Sequence, residues 1–468
     1  MGLAVETQLR GKRVHLVGIG GAGLSAIARV LLEQGARVSG SDLLLSPVAQ
    51  ALAEAGATIY EGHRPEQVDG ADVVIVSSAV PNTNVELQAA REAGIPVLRR
   101  PDALRLMTQG QQAVAVAGSH GKTTTTAMIV SLLLAAGRDP TYIVGGVVAT
   151  LGSNAHAGTE PLFVIEADEY DRTFLSLSPT VAVITNVEHD HPDCYPTFAD
   201  YRAAFEDFAR LVAADGLLAV CSDDPTARAI GVQRADAGTR VATFGLGKDA
   251  EWRAEEVRPN FAGGVDFLAT HRGATVGLMR LRVPGTHNAS NAVAVLAVAE
   301  FLGIPMAVAR DALMEFRGVG RRFEVKGEVG GVVVVDDYAH HPTKIRVTLE
   351  AARMRYPGRP LWVVWQPHTY SRTHMLLGDF ARVLSTADHV IVLPIYAARE
   401  TEPLGLDSER VAAALNGPDV RAAHSLEEAV IWLGTEVRSG DVVLTLSAGD
   451  ADKVGTWLLD VLREAQDG

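Results

Sequence analysis

Short β-branched runs alternate with longer Ala- and Leu-rich stretches along nearly the whole chain, the pattern of repeated strand-helix-strand units and parallel sheets. The first unit is predicted as a strand over Val14 to Val17, a helix over Ala22 to Gln34 closed by Gly35, and a strand over Arg37 to Asp42. Further strands are predicted over Val73 to Val76, Ala113 to Ala117, Leu162 to Ile165 and Thr180 to Ile184, with helices over Glu86 to Ala93 and Ala127 to Ala136. Towards the end, a helix over Val308 to Phe316 is followed by strands over Val332 to Val335, Trp362 to Trp365, His389 to Leu393 and Val442 to Leu446. The fold class is α/β.

Two breaks interrupt this rhythm. Around LRRPDALRLMTQGQQ a polar, Gly-containing stretch precedes a new strand and a second glycine-rich turn, and another break falls near Arg317 to Arg322. Three domains are therefore expected, over residues 1–107, 108–317 and 318–468, which agrees with a length of 468 residues at about 150 per domain. There is no short-period repeat and no low-complexity segment.

Composition narrows the function classes. Hydrophobic residues make up 47% and charged residues 21%, enough to bury several cores. Forty-two Lys and Arg against 56 Asp and Glu leave a net charge of −14, which argues against a nucleic-acid or anionic-membrane surface, so any phosphate must be held by local groups. Two cysteines, Cys194 and Cys221, are too few for a disulfide framework or a thiolate zinc site and fit a reducing compartment, with the cytoplasm as the expected location. No apolar run approaches the roughly 18 residues of a membrane span, and the start, MGLAVETQLRGKRV, does not read as a signal peptide.

The chemistry sits at strand ends. Gly18-Ile-Gly20-Gly21-Ala22-Gly23 follows one strand and opens a helix, and Asp42 comes 19 residues after Gly23 at the end of the next strand. Such glycines allow close backbone approach, the helix N-terminus offers N–H groups to a pyrophosphate, and the acid accepts from a ribose hydroxyl. The motif alone leaves the nucleotide open, a nicotinamide dinucleotide included. Gly118-Ser119-His120-Gly121-Lys122-Thr123-Thr124 is a P-loop in function, with backbone N–H groups to cradle phosphates, Lys122 as a point charge and the Thr123 hydroxyl as a Mg²⁺ ligand. Its spelling is not strict, because Val116 stands where G-x-x-x-x-G-K-T begins.

Two acidic and imidazole clusters follow the next strands: Glu166-Ala-Asp168-Glu169-Tyr-Asp171, and Thr185-Asn186-Val-Glu188-His189-Asp190-His191-Pro-Asp193. Ligands of open α/β sheets collect outside the carboxyl ends of strands, so both clusters point to one crevice with the P-loop and to a Mg²⁺ site, with zinc at His189 and His191 as the alternative. Pro284-Gly285-Thr-His287-Asn288-Ala-Ser-Asn291 precedes a helix from Ala292; its two amides, one turn apart, suit an adenine edge or a polar helix cap. Arg321-Arg322-Phe-Glu, Asp336-Asp337-Tyr338-Ala-His340-His341-Pro and Gln366-Pro-His368-Thr-Tyr370-Ser-Arg372 read as an anion or carboxylate clamp. Seven of the 14 histidines fall inside these few motifs, a concentration that scatter would not produce.

Taken in order, GSHGKTTTT, EADEYD, TNVEHDHPD, PGTHNASNA, RRFE, DDYAHHPT and QPHTYSRT resemble the Mur ligases, and the last pair resembles their alanine-adding branch. The resemblance implies a Rossmann-like N-terminal domain for a UDP-sugar, a central P-loop domain with a parallel or mixed sheet for ATP, and a Rossmann-like C-terminal domain for the amino acid. It reassigns the first glycine motif from a dinucleotide to UDP. It further implies that ATP phosphorylates the lactyl carboxylate of UDP-N-acetylmuramate and that the amine of L-alanine attacks the acyl phosphate, in peptidoglycan precursor synthesis, by a monomer or homodimer.

By that resemblance Lys122, Glu166, His191 and His340 are catalytic, and Thr123, Glu166 and His191 are metal ligands for Mg²⁺. ATP would be held by Gly118, Ser119, His120, Gly121, Lys122, Thr123, Thr124, His287, Asn288, Asn291 and Arg321. Gly20, Gly21, Ala22, Gly23, Ser41, Asp42, His63, Ser77 and Arg100 would meet the UDP-sugar, and Tyr338, His340, His368 and Arg372 the alanine. Thr369 stands where some alanine-adding members carry arginine, and no lysine occurs between Lys122 and Lys248, so the carbamylated lysine of the later-acting Mur ligases has no counterpart. The competing readings are a murein-recycling ligase that attaches a preformed peptide, a nicotinamide-dependent oxidoreductase, and a catalytically silent nucleotide-binding regulator.

Overall fold

The computed structural model describes residues 9–467 apart from 399 and 418; the first eight residues, on which the reading of the chain start rests, lie outside it. Its strands form three sheets. The first is built from β1 (Arg13–Val17), β2 (Arg37–Asp42), β3 (Thr58–Glu61), β4 (Val73–Val76) and β5 (Val97–Arg99), all parallel in the order β3-β2-β1-β4-β5. The strand order reverses beside β1, and the glycine turn that follows β1 opens there. This is where a doubly wound sheet leaves a crevice for a ligand.

The second sheet holds β6 (Gln112–Ala117), β7 (Thr141–Val148), β8 (Ser153–His156), β9 (Leu162–Glu166), β10 (Val181–Ile184), β11 (Leu217–Cys221), β12 (Arg240–Gly245), β13 (Trp252–Pro259), β14 (Val265–His271) and β15 (Ala274–Arg280). Their order is β15-β14-β13-β12-β11-β10-β6-β9-β7-β8. The centre is parallel, with β6 between β10 and β9, and β8 pairs antiparallel with β7 at the edge. Residues 113–117 of β6 are fully buried, which is why this strand reads as an unbroken Ala/Val run instead of an alternating one.

The third sheet runs β16-β17-β21-β18-β19-β20 from β16 (Glu324–Val329), β17 (Val332–Asp337), β18 (Leu361–Trp365), β19 (His389–Val392), β20 (Val420–Ala422) and β21 (Val442–Leu446). All its pairs are parallel except β16 with β17. Helices cover both faces, with separate apolar clusters around Val335, Trp365 and Phe380 and around Val334, Val364 and Leu458. Full burial of each such Val or Leu stabilises by about 1.5–3 kcal/mol before chain entropy is counted.

The described chain parts into two compact units: one runs to Glu256 and takes in Phe267–Arg280 and Ala289–Phe316, the other holds Val257–Asp266, Leu281–Asn288 and the chain from Arg317. No helix of the described residues is long and apolar enough to cross a membrane. Two helices begin more than a full turn earlier than their sequence pattern predicts. The helix expected from Ala127 starts at Lys122 (Lys122–Ala135), because Gly121 takes a left-handed φ of 82° at its N-cap and the four threonines continue from it. The helix expected from Ala292 starts at Thr286 (Thr286–Phe301), so Asn288 and Asn291 lie inside it.

Candidate active site

The P-loop is shaped by its two neighbouring strands. Register pairing sets Val116 beside Glu166 on β9 and Ala117 beside Ile184 on β10, so the residues just past all three strands emerge together. From the β10 side, the Thr185 hydroxyl donates to the carbonyls of Ala117 and His120 at 3.3 and 2.5 Å. Asn186 grips the loop at three points: its carbonyl accepts from Ser119 N at 3.1 Å, its side-chain oxygen from His120 N at 2.9 Å, and its amide donates to His120 O at 3.1 Å. The Ser119 hydroxyl donates to Glu188 O at 2.7 Å and receives Glu188 N at 2.8 Å, while His120 Nε2 meets Glu188 Oε2 at 2.6 Å. Gly118 has φ 139°, and a Cβ there would collide with the Thr185 hydroxyl, so only glycine fits.

From the β9 side come the charges. Lys122 Nζ lies 2.8 and 2.9 Å from the two oxygens of Glu169, whose side chain is 1% exposed, and it also donates to Gly118 O. Burial alone would push the Lys122 ammonium down, but Glu169, Glu166 and Asp168 outweigh it and hold the pKa above the usual lysine value. Glu169 is in turn kept well below the carboxylate range by Lys122 and His191, against its own burial. The Tyr195 hydroxyl donates to Glu169 O at 2.5 Å, the Tyr201 hydroxyl lies 3.3 Å from Glu169 Oε1, and His191 Nε2 stands 3.6 Å from the same oxygen.

Thr123 Oγ1 donates to Glu166 Oε1 at 3.0 Å, and the other oxygen of Glu166 accepts from Gly145 N at 2.7 Å. A threonine hydroxyl and a carboxylate on the phosphate loop are hard oxygen donors of the kind Mg²⁺ takes together with phosphate oxygens and water. Of the expected metal set, Thr123 and Glu166 are brought into contact, whereas His191, at φ 57°, has its ring against Glu169 and Tyr170. The Asn291 side chain packs on Gly121, with its amide oxygen 3.0 Å from where a Cβ would stand.

At the first sheet, Asp42 accepts from Gly20 N and Leu43 N, each at 2.8 Å, so its carboxylate braces the glycine turn. Ser77 packs on Gly18. Arg100 lies across Gly23, where a Cβ would come 2.8 Å from Nε, and its Nη1 pairs with Asp168 at 2.9 Å. Ser41 and His63 both turn to Glu86, a buried residue to which the sequence assigns no role.

In the third sheet, the Arg321 guanidinium bonds Asp336, Ser447 O and Gly449 O at 2.9–3.2 Å, at the carboxyl ends of the strands. Tyr338 lies under Arg321 and Arg322, at 5.2 and 5.0 Å. His340 Nδ1 donates to Tyr338 O at 2.8 Å, a partner that can only accept, so the proton is on Nδ1; Nε2 is 3.4 Å from Lys344 Nζ. His340 faces His368 at 5.5 Å between ring centres, and Arg372 Nη1 reaches His368 Nδ1 at 3.0 Å. Tyr396, absent from the motifs, stacks on His368 at 5.8 Å. Thr369 caps the helix Tyr370–Leu384 at φ 64°, an uncommon conformation for a β-branched residue.

His287 lines a cavity of about 250 Å³ with Gly285, Val347 and Met354, and burial lowers its pKa to about 4, which keeps the ring neutral. The Asn288 amide donates to Pro284 O at 2.7 Å and so ties the helix start to the preceding turn.

Glu169, Asn186, Tyr201, Glu86 and Tyr396 thus join the sites without a role assigned from sequence. Glu169 and Asn186 stand in the strand-end motifs EADEYD and TNVEHDHPD, which is their only signal in the sequence; the others show themselves through packing alone.

Comparison with known proteins agrees with this geometry. Residues 13–112 match the model of the Mur ligase family catalytic domain, residues 116–299 the Mur ligase middle domain, and residues 321–449 the Mur ligase glutamate ligase domain. The UDP-N-acetylmuramate–L-alanine ligase of Roseiflexus sp. (strain RS-1) is 45% identical over 470 residues, covering 96% of this chain and 99% of that one. Among solved structures, the UDP-N-acetylmuramate-alanine ligase of Thermotoga maritima superposes with a TM-score of 0.83 at 30% identity, over 98% of this chain and 100% of that one. A murein peptide ligase from Psychrobacter arcticus 273-4 superposes with a TM-score of 0.71 at 26% identity, over 97% and 99%. A phosphate loop braced from both flanking strands, in a chain that matches all three domain models in order, leaves one assignment: the chain belongs to the Mur ligase family.

Proposed function

We propose that the protein joins L-alanine to the lactyl carboxylate of UDP-N-acetylmuramate with cleavage of ATP to ADP and phosphate, in the cytoplasm, as a step of peptidoglycan precursor synthesis. The observation that carries this reading is the Lys122 ammonium held between Glu169 and Gly118 O on a preformed phosphate loop. The full-length likeness to UDP-N-acetylmuramate–L-alanine ligases supports the choice of substrates.

In this reading residues 1–107 serve the UDP-sugar, 108–317 ATP and 318–468 the amino acid. The loop N–H groups and Lys122 take the phosphates, and the lactyl carboxylate attacks the γ-phosphorus to give an acyl phosphate and ADP. Lys122 neutralises charge on the transferring group, and the phosphorylation turns the carboxylate, a poor electrophile, into a good one with phosphate as its leaving group. Thr123 and Glu166 would hold Mg²⁺, which when bound spreads charge from the phosphate oxygens. Tyr338, His340, His368 and Arg372 take the alanine; Arg372 offers its guanidinium to the α-carboxylate, and His340 Nε2, which faces Lys344 Nζ at 3.4 Å, would exchange that contact for the amine proton. Attack of the neutral amine on the acyl carbon then expels phosphate.

Phosphate release is measured with ATP, Mg²⁺ and UDP-N-acetylmuramate, with and without L-alanine. Alanine-dependent release is expected. Release with an L-alanyl-D-glutamyl peptide and none with alanine would replace this reading with a murein-recycling ligase, and none with either would leave a binding protein.

A further inference from the structure

Beneath the glycine turn of the first sheet a carboxylate is sealed from solvent. Glu86, in the first turn of the helix Val85–Glu92, is 0% exposed. Its Oε2 accepts the Ser41 hydroxyl at 2.6 Å and stands 3.0 Å from His63 Nδ1, and its Oε1 faces His15 Nε2 at 3.6 Å. Ser41 Oγ is also 3.0 Å from His63 Nδ1, and His15 Nδ1 is 2.9 Å from Ser39 Oγ. A buried carboxylate ringed by donors is costly to build unless it organises something.

The hydrogen-bond logic settles one proton. Glu86 stays ionised, because the donors around it outweigh its burial, so Oε2 can only accept. The Ser41 proton goes to Oε2, and the Ser41 oxygen is then left to accept as well. Both atoms that face His63 Nδ1 are acceptors, so Nδ1 carries the hydrogen. In the neutral ring Nε2 is therefore the bare nitrogen, and among the described residues it has no hydrogen-bond partner while the side chain keeps 15% exposure. His63 follows β3 by two residues and Ser41 is the penultimate residue of β2, so the ring stands at the carboxyl edge where the crevice opens.

We infer that Glu86 is a positioning residue of the UDP-sugar site, which locks His63 so that Nε2 presents a fixed hydrogen-bond acceptor to the nucleoside half of the ligand. A bare nitrogen repels a diphosphate oxygen and takes an N–H or O–H, and UDP offers the imide of its base and its ribose hydroxyls. The inference deepens the proposed function and rests on it.

Two readouts test it. Long-range ¹H–¹⁵N spectra of the ligand-free protein, with the His63 signal assigned by its loss in His63→Asn, should show the Nδ1–H form, and Glu86→Gln should mix the two tautomers. In turnover, Glu86→Gln should raise KM for UDP-N-acetylmuramate about tenfold with kcat within about twofold and KM for ATP unchanged. Should Glu86→Gln not fold, Ser41→Ala and His63→Asn carry the same test. Calorimetry with UDP and CDP on wild type and His63→Asn locates the donor: a loss confined to UDP marks the imide, an equal loss marks a ribose hydroxyl, and no loss with either overturns the inference. An Nε2–H ring in the wild type, or an unchanged tautomer and KM in Glu86→Gln, also overturns it. Because the spectra need no substrate, their failure is distinct from a failure of ligase activity.

Discussion

Lys122 and Glu169 form a closed ion pair in which both carboxylate oxygens lie within 2.9 Å of the ammonium. The pair aims a charge and also stabilises the loop that carries it. Lys122→Ala should abolish alanine-dependent phosphate release, with a loss on the order of a thousandfold, as expected for removal of a group that stabilises a transferring phosphoryl. Glu169→Gln leaves the ammonium buried without its counter-charge and should cost about 3–5 kcal/mol of stability. Urea unfolding checks the second statement; a midpoint equal to wild type would contradict it.

Arg100 crosses Gly23 on its way to Asp168, so the glycine is required for the path of the arginine. Gly23→Ala should displace the guanidinium and raise KM for UDP-N-acetylmuramate by about tenfold with little change in kcat. Arg100→Ala should have a similar effect, and the double variant should be no worse than either single one, since both remove the same contact. Additive losses in that cycle would show that Gly23 acts on its own.

The Asp337 carboxyl is raised to about 6 by its desolvated surroundings, although Arg322 and the Phe323 N–H pull it down; Asp336, its neighbour, is raised too. The folded protein thus keeps a proton that the unfolded chain gives up near pH 4, by the ordinary value of an aspartate at about 3.9. Stability from this group is full below about pH 4, falls as pH rises towards about 6, and then levels. Unfolding followed across that window should show a shallower fall in Asp337→Asn than in wild type, and parallel curves would refute the assignment.

Bicarbonate should not stimulate turnover. The span between Lys122 and Lys248 holds no lysine to carbamylate, so activity in carbon-dioxide-free buffer should equal that with added bicarbonate. A clear rise on addition would require a different metal site.

The sequence by itself shows whatever depends on local periodicity. β4 and β21 begin and end where their apolar runs do, because each is a short β-branched stretch closed by a serine. The start of the helix at Lys122 is not legible in the sequence, because four successive threonines read as strand or turn by propensity; the left-handed Gly121 and tertiary packing override that preference. Towards the two ends of the second sheet, β8 and β13 to β15 carry mixed polar patterns that do not mark them as strands. At the site, sequence order brought out the residues that lie within a few positions of a strand end. Glu86 reaches its site from the start of a helix, and nothing local in the chain encodes that meeting; Tyr396 follows β19 closely but stands in none of the His- and Arg-bearing motifs.

The grip of Thr185 and Asn186 on the P-loop has a consequence for transplantation. The curve of residues 118–121 is written partly in the two residues that follow the strand next door, so the loop alone is a quotation without its grammar. Grafted with Lys122 after a strand of another parallel sheet it would carry the glycines and the lysine yet lose the frame that aims them, and a working copy would have to bring along the Thr-Asn step that follows β10.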